Sequence, residues 1–346
     1  MKFRELHLRK ALSAALFVLL LTVAGTKNAL AQTQVATLQH GDEITAFYGA
    51  DAFVQAYDAA AVDDNDIITL SSGTFVAHDI NKAITLRGAG CAADTEAGTI
   101  PTVISGEFYL NLHDTINNHV NIEGILFPNT VKPQVLKSPT FTRCNFKKID
   151  WGSYYSIMEN AQFVNCLIEE VSSFSRFTNT VMVNCVVWNP KDIPADRRVV
   201  AYNSIFGPFT STINGFTGYN CIIIRENGSN SPANTCNFFN CLGVGLDETE
   251  PFGSGLVSNC ETYASYAEVF NTFAGEFTFE EEFLLTADAQ GFVTTDGTQV
   301  GIYGGSMPYS NIPFYMVRKR TTVSNRSNPD GTLNVEIEIL DEGEGE

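Results

Sequence analysis

The sequence predicts an all-β fold: a parallel β-helix solenoid with a helical cap at its N-terminal end and a short β extension at its C-terminal end. Two observations carry this reading. First, six of the eight cysteines form one series, Cys144, Cys166, Cys185, Cys221, Cys241 and Cys260, with Ser204 filling the gap after Cys185. The steps are 22, 19, 19, 17, 20 and 19 residues. Asparagine precedes every member after the first: Asn165, Asn184, Asn203, Asn220, Asn240 and Asn259. A fixed period near twenty marks a solenoid, in which each repeat buries its apolar face against its neighbours. Second, the segments between are short runs of Val, Ile and Phe broken by Asn and Gly, which suit pleated, half-buried strands. A leucine-rich repeat shares the period but requires L-x-x-L-x-L, which these segments lack.

Each repeat has a local logic. Asparagine tolerates left-handed backbone and bonds locally, so Asn before Cys predicts a tight bend. Stacked in register, these side chains are expected to bond from coil to coil at the strand spacing of about 4.8 Å. The cysteine just past the bend is expected to pack as a small, buried, reduced thiol. In-register neighbours present their Cβ atoms side by side, which disfavours a disulfide. Stepping back twenty residues from Cys144 reaches Gly124 in "VNIEGILF", a coil of the same pattern without the Asn-Cys pair.

Residues 1–31 read as a signal peptide. Lys2, Arg4, Arg9 and Lys10 precede the apolar "ALSAALFVLLLTVAG", and "ALA" at 29–31 is a small-x-small cleavage site. The apolar run is shorter than the roughly twenty residues that a membrane helix needs. The expected location is therefore extracellular, periplasmic or on the outer cell surface, with no transmembrane segment after cleavage. The chain carries a net charge of −18; loss of residues 1–31 removes five basic side chains and one acidic one, leaving −22. That balance excludes a nucleic-acid partner, whose binding depends on cationic side chains displacing counterions.

The β-helix is expected over residues 32–306. "EITAFYGADAFVQAYDAAA", residues 43–61, reads as the cap helix, interrupted at Gly49. "DNDIITLSSGTF" and "KAITLRGAG" follow as the first strands. Residues 307–346 are expected to hold a β-hairpin around the turn signal "RSNPDG" and an acidic disordered tail, "DEGEGE". The cap, "DIITLSSGTF", "ITLRGAG", the Phe-x-Asn-Cys coils and "LLTADAQGFVTTDGTQVGIYGG" at 284–305 together resemble the secreted right-handed parallel β-helix proteins of the pectate-lyase-like superfamily. In style the chain looks most like surface and secreted proteins of Bacteroidetes. The resemblance implies a right-handed solenoid of about twelve coils, closed by 284–305. It also implies lyase or hydrolase chemistry as one possible activity, alongside non-catalytic scaffolds and adhesins.

The residues themselves favour a scaffold or a glycan or host-ligand binder over an enzyme. The superfamily's enzymes use stacked acidic residues, whereas Asp114, Asp150, Asp192, Asp196 and Asp247 fall at different phases of the repeat. Glu169 and Glu170 adjoin on a strand and so face opposite ways. "VDDND" (Asp63, Asp64, Asn65, Asp66) and "HDTINNH" (His113, Asp114, His119) read as solvated turns rather than metal or catalytic sites. No catalytic residue, metal or cofactor is expected. The candidate ligand residues are Trp151, Tyr154, Tyr155, Trp188, Asp192, Arg197 and Arg198, in coil insertions that combine aromatic rings with charged groups.

Overall fold

The structure is a computed structural model. It describes residues 34–310, apart from 62–65, 94–99, 113–118, 152–155, 192, 194–195, 210–212, 227–234, 247–249 and 295, and the backbone of 317–323 and 335–340. The expected signal peptide and the expected acidic tail, and with them Asp63, Asp64, Asn65, His113 and Asp114, lie outside the described residues.

The chain forms a right-handed parallel β-helix of about nine turns. Three sheets run along it. The first stacks ten parallel strands, from Asp66–Leu70 through Thr140–Thr142, Gln162–Val164, Thr180–Val183, Val199–Tyr202, Phe216–Tyr219 and Asn237–Phe239 to Leu256–Ser258. The second runs alongside it from Gly73–Val76 to Glu261–Tyr263, and a short third sheet joins Val135–Lys137, Ile157–Glu159 and Phe177–Thr178. The coils number fewer than twelve because the described residues from 264 to 310 add no further turn.

At the N-terminal end, β1 (Val35–His40) and β2 (Glu43–Tyr48) form an antiparallel hairpin on the first sheet. The expected helix over 43–61 is thus shorter: α1 spans Ala52–Ala59, and the β-branched, aromatic start of the segment becomes β2. Ala52, Phe53, Ala56 and Tyr57 are the buried face of α1, which closes the lumen. Lys82 Nζ donates to the carbonyls of Tyr57, Asp58 and Ala60, satisfying acceptors that the helix end leaves open.

The ladder explains the repeat. Asn165, Asn184, Asn203, Asn220, Asn240 and Asn259 all have φ between 46° and 56°, the left-handed bend between first and second sheets. Arg143 (φ 48°) and Gly124 (φ 66°) hold the same place in earlier coils. The register pairs Thr142 with Glu123, so Cys144 corresponds to Ile125 and not to Gly124. The backbone ladder passes through the bend unbroken: Asn165, Asn184 and Asn203 donate their N–H groups to Val183, Tyr202 and Tyr219.

Cys144, Cys166, Cys185, Cys221 and Cys241 are buried free thiols, and Cys260 on the last coil is half-buried. Their role exceeds packing. Cys221 N–H points at Cys241 Sγ (3.4 Å), Cys241 N–H at Cys260 Sγ (3.3 Å), and Cys185 N–H at Ser204 Oγ (3.0 Å). Each thiol also donates to the carbonyl two residues back, as Ser204 does to Tyr202. The side chain just past the bend thus serves as a small donor and acceptor for backbone groups of the adjoining turns. Serine substitutes for cysteine on those terms.

Phenylalanines fill the lumen. Phe108, Phe127 and Phe146 follow one another at 5.2 and 5.1 Å, and Phe141 stacks on Phe163 at 4.8 Å. The second sheet is buried on both faces: Ile205–Phe209, Ile222–Arg225 and Leu242–Gly245 expose no residue. Its outer face is covered by the chain from Ser265 to Ser310, which includes α2 (Tyr266–Val269) and α3 (Ala287–Gly291). Val269, Phe270, Phe273, Phe283, Leu285 and Ile302 form a second core there with Leu167, Val186, Ile205, Ile222 and Leu242. The segment 284–305 therefore straps the flank and does not close the end of the stack. Strands 317–323 and 335–340 pair antiparallel, as the turn signal predicts.

Buried thiols make stability pH-dependent. Burial pushes the Cys91 thiol up to about 12 and raises Cys144, Cys166 and Cys241 well above the ordinary thiol range. In the unfolded chain these groups ionise near the reference value of about 8.5. Raised folded values mean that their contribution is fully present below that point and is lost as pH climbs towards the folded values. Urea midpoints are expected to hold between pH 7 and 8 and to fall steadily from about pH 9 to 11. A midpoint unchanged at the alkaline end would contradict the burial of these thiols.

Candidate functional site

The structure separates the two tryptophans that the sequence groups together. Trp151 is half-buried; its indole N–H donates to the Ser173 carbonyl (2.8 Å) and its ring meets the edge of Phe177 at 5.1 Å, against the lumenal core. Trp188 is only 5% exposed and belongs to the second core, stacked on Phe277 and edge-on to Phe273. Neither face of Trp188 is open to a ligand, because the strap claims it. Arg197 donates to Thr178 Oγ1 (2.6 Å) and lies beside Asp196. Tyr154, Tyr155 and Asp192 lie outside the described residues. Glu169 pairs with Lys147, and Glu170 with Lys148 and Lys191, so both are charge partners on the flank.

Arg198 leads to a different surface. It lines a groove of about 460 Å³ on the outer face of the first sheet with Val200, Tyr202, Gly215, Thr217, Tyr219, Thr235 and Asn237. The first sheet's strands alternate, one set of side chains into the lumen and the other outward, as period-two geometry dictates. The outward column one residue before the bend reads Val164, Val183, Tyr202, Tyr219, Phe239 and Ser258 by register. Tyr202 and Tyr219 stack at 5.1 Å with planes 10° apart, and Tyr219 and Phe239 at 5.0 Å with planes 13° apart. In-register strands impose this spacing. The small Val183 leaves the outer face of Tyr202 open, and the residue is 39% exposed.

The neighbouring column, Val200, Thr217 and Asn237, is the groove's floor. Asn237 Nδ2 donates to Thr217 Oγ1 (3.3 Å), and Gly215 N–H to Thr235 Oγ1 (3.2 Å). The described residues of the lining thus offer phenolic and threonine hydroxyls, an amide and one guanidinium, with no carboxylate among them. Glycoside hydrolysis uses two carboxyl groups about 5–9.5 Å apart, and the described lining supplies hydrogen-bonding groups of other kinds. No group of three or more His, Cys, Asp or Glu suited to a metal ion occurs among the described residues.

No helix among the described residues is long and apolar enough to cross a membrane. No protein-family model, curated protein or solved structure matches this chain.

Proposed function

We propose that this protein is an exported or cell-surface, non-catalytic β-helix that binds a linear glycan along the outer face of its first sheet. The observation that carries this reading is the groove of Arg198, Tyr202, Thr217, Tyr219 and Asn237, where aromatic rings and hydrogen-bonding groups repeat at the strand spacing. A repeating polar lining suits a repeating ligand, since each coil offers similar contacts. Sugar rings have an apolar face and a hydroxylated edge, matching the open face of Tyr202 and the donors beside it. With a single guanidinium in a strongly acidic protein, a neutral or weakly acidic glycan is preferred over a polyanion.

A glycan array identifies the ligand, and affinity electrophoresis compares variants on it. The Tyr202→Ala/Tyr219→Ala double variant is expected to weaken binding at least about ten-fold, or 1.4 kcal/mol, with the circular dichroism spectrum intact. Trp151→Ala is expected to leave binding unchanged. Binding by the double variant equal to the parent's contradicts the assignment, and release of new reducing or unsaturated ends would favour a hydrolase or lyase instead.

A further inference from the structure

The first sheet presents an open strand edge at each end of the solenoid, and the two edges match. At the tail, Leu256–Ser258 pairs only with Asn237–Phe239 among the described residues, because the chain from Ser265 to Ser310 lies on the flank. At the head, β2 pairs only with β1. Four of the ten large apolar side chains exposed among the described residues lie on these two strands: Ile44 (68%), Tyr48, Leu256 (57%) and Val257 (41%). Val257 departs from its column. It stands in register with Phe163, Met182, Ala201 and Phe238, all fully buried in the lumen.

Proteins guard exposed sheet edges with proline, lysine, bulges or charges. Leu256–Ser258 has none of these. In β2 the sole charge is Glu43 at its first position, and its register with β1 is unbroken. Direction then decides the partner. β1 is antiparallel both to β2 and to Asp66–Leu70, so β2 runs the same way as every later strand of the sheet. A copy stacked head to tail therefore continues the parallel ladder, whereas a tail-to-tail pair would reverse it and leave Ile44 and Tyr48 open.

The columns along the sheet set the register. Leu256 follows Asn237, Thr217 and Val200 in a column that runs back through Ile67 and Gln39 to Ile44. The columns of Val257 and Ser258 run back to Thr45 and Ala46. Stacking on one axis thus sets Leu256 beside Ile44, apolar against apolar on the outer face, and Val257 beside Thr45.

We infer that the protein binds a second copy of itself head to tail, with Leu256–Ser258 of one copy pairing parallel with β2 of the next. The two surfaces differ, so the contact is heterologous and propagates into an open fibre. Asp42 and Glu43 at the head and Glu261 at the tail are exposed and alike in charge, so salt strengthens the association by screening them. The inference is independent of the glycan groove.

The test applies sedimentation velocity and negative-stain electron microscopy to the protein and two variants, Ile44→Asp at the head and Leu256→Asp at the tail. Both side chains face solvent in the single copy, so each variant is expected to keep the parent's circular dichroism spectrum. Tyr48→Asp and Val257→Asp replace them should either fail to fold. The parent is expected to form dimers and longer unbranched species, their share rising with protein and salt concentration. Each variant alone is expected to associate at least about ten-fold more weakly. An equimolar mixture of the two is expected to form dimers and nothing longer, because one keeps an intact tail and the other an intact head. A parent that stays monomeric at high salt overturns the inference. So does a variant that associates like the parent, or a mixture that gives no dimers or grows beyond them.

Discussion

Replacing Asn184 by alanine is expected to destabilise the protein by about 3 kcal/mol, combining left-handed strain of about 1–2 kcal/mol with two lost hydrogen bonds of about 1 kcal/mol each. Asn184 sits at φ 50°, is fully buried, and donates from one amide to two strap carbonyls, Ile302 O (2.7 Å) and Gly304 O (2.8 Å). Asn165 reaches Pro308 O in the same way (3.4 Å). The ladder amides therefore bond the strap where the strap passes, and bond coil to coil only elsewhere, as Asn259 does to Asn240 (2.8 Å). Asn184→Gly separates the two contributions. It keeps the backbone but loses the bonds, so about half of the destabilisation is expected. Urea denaturation measures both. Equal losses for Ala and Gly would mean that the bend carries no strain, and no loss for Gly would mean that the strap bonds contribute nothing.

The second large effect is expected at Phe163. The ring is fully buried, stacks on Phe141 at 4.8 Å, and meets Phe146 and Phe177 edge-on or tilted at 6.3 and 6.1 Å. Truncation to alanine leaves a cavity that the in-register strands on either side cannot close, since their spacing is fixed by backbone bonds. A loss of about 3–5 kcal/mol follows. A solenoid is held by nearest-neighbour interfaces, so a defect at its middle should also split the unfolding transition. Calorimetry is expected to show a lower, broader transition. A parent-like single transition would contradict a continuous aromatic core.

Much of this architecture is written in the repeat. Period, strand content, bend residue and thiol burial follow from Asn-Cys and the apolar runs, because backbone geometry alone demands them. The strap was also partly legible. The run "IIIR" after Cys221 does not alternate, and a strand buried on both faces needs a cover. "VGIYGG" held a further signal: a Cβ on Gly305 would stand 2.2 Å from Asn203 Nδ2, and one on Gly301 3.0 Å from Ile222 Cδ1, so the strap's backbone lies directly on the ladder. The tryptophans were not legible. Whether a ring in an insertion meets solvent or another segment is decided by chain about ninety residues away, as Phe273 and Phe277 decide it for Trp188. The groove's rings were in plain sight as the residue before each bend, "AYN", "GYN" and "FFN". Period-two alternation places them outward once the lumenal residues are identified.

The most direct test of the glycan-binding reading is hydrogen–deuterium exchange of the protein with and without the polysaccharide that the array selects. Binding in the groove predicts slower exchange confined to Val199–Tyr202, Phe216–Tyr219 and Asn237–Phe239 and the turns that precede them. Protection centred instead on Trp151, on the strap, or on no segment of the first sheet would contradict it.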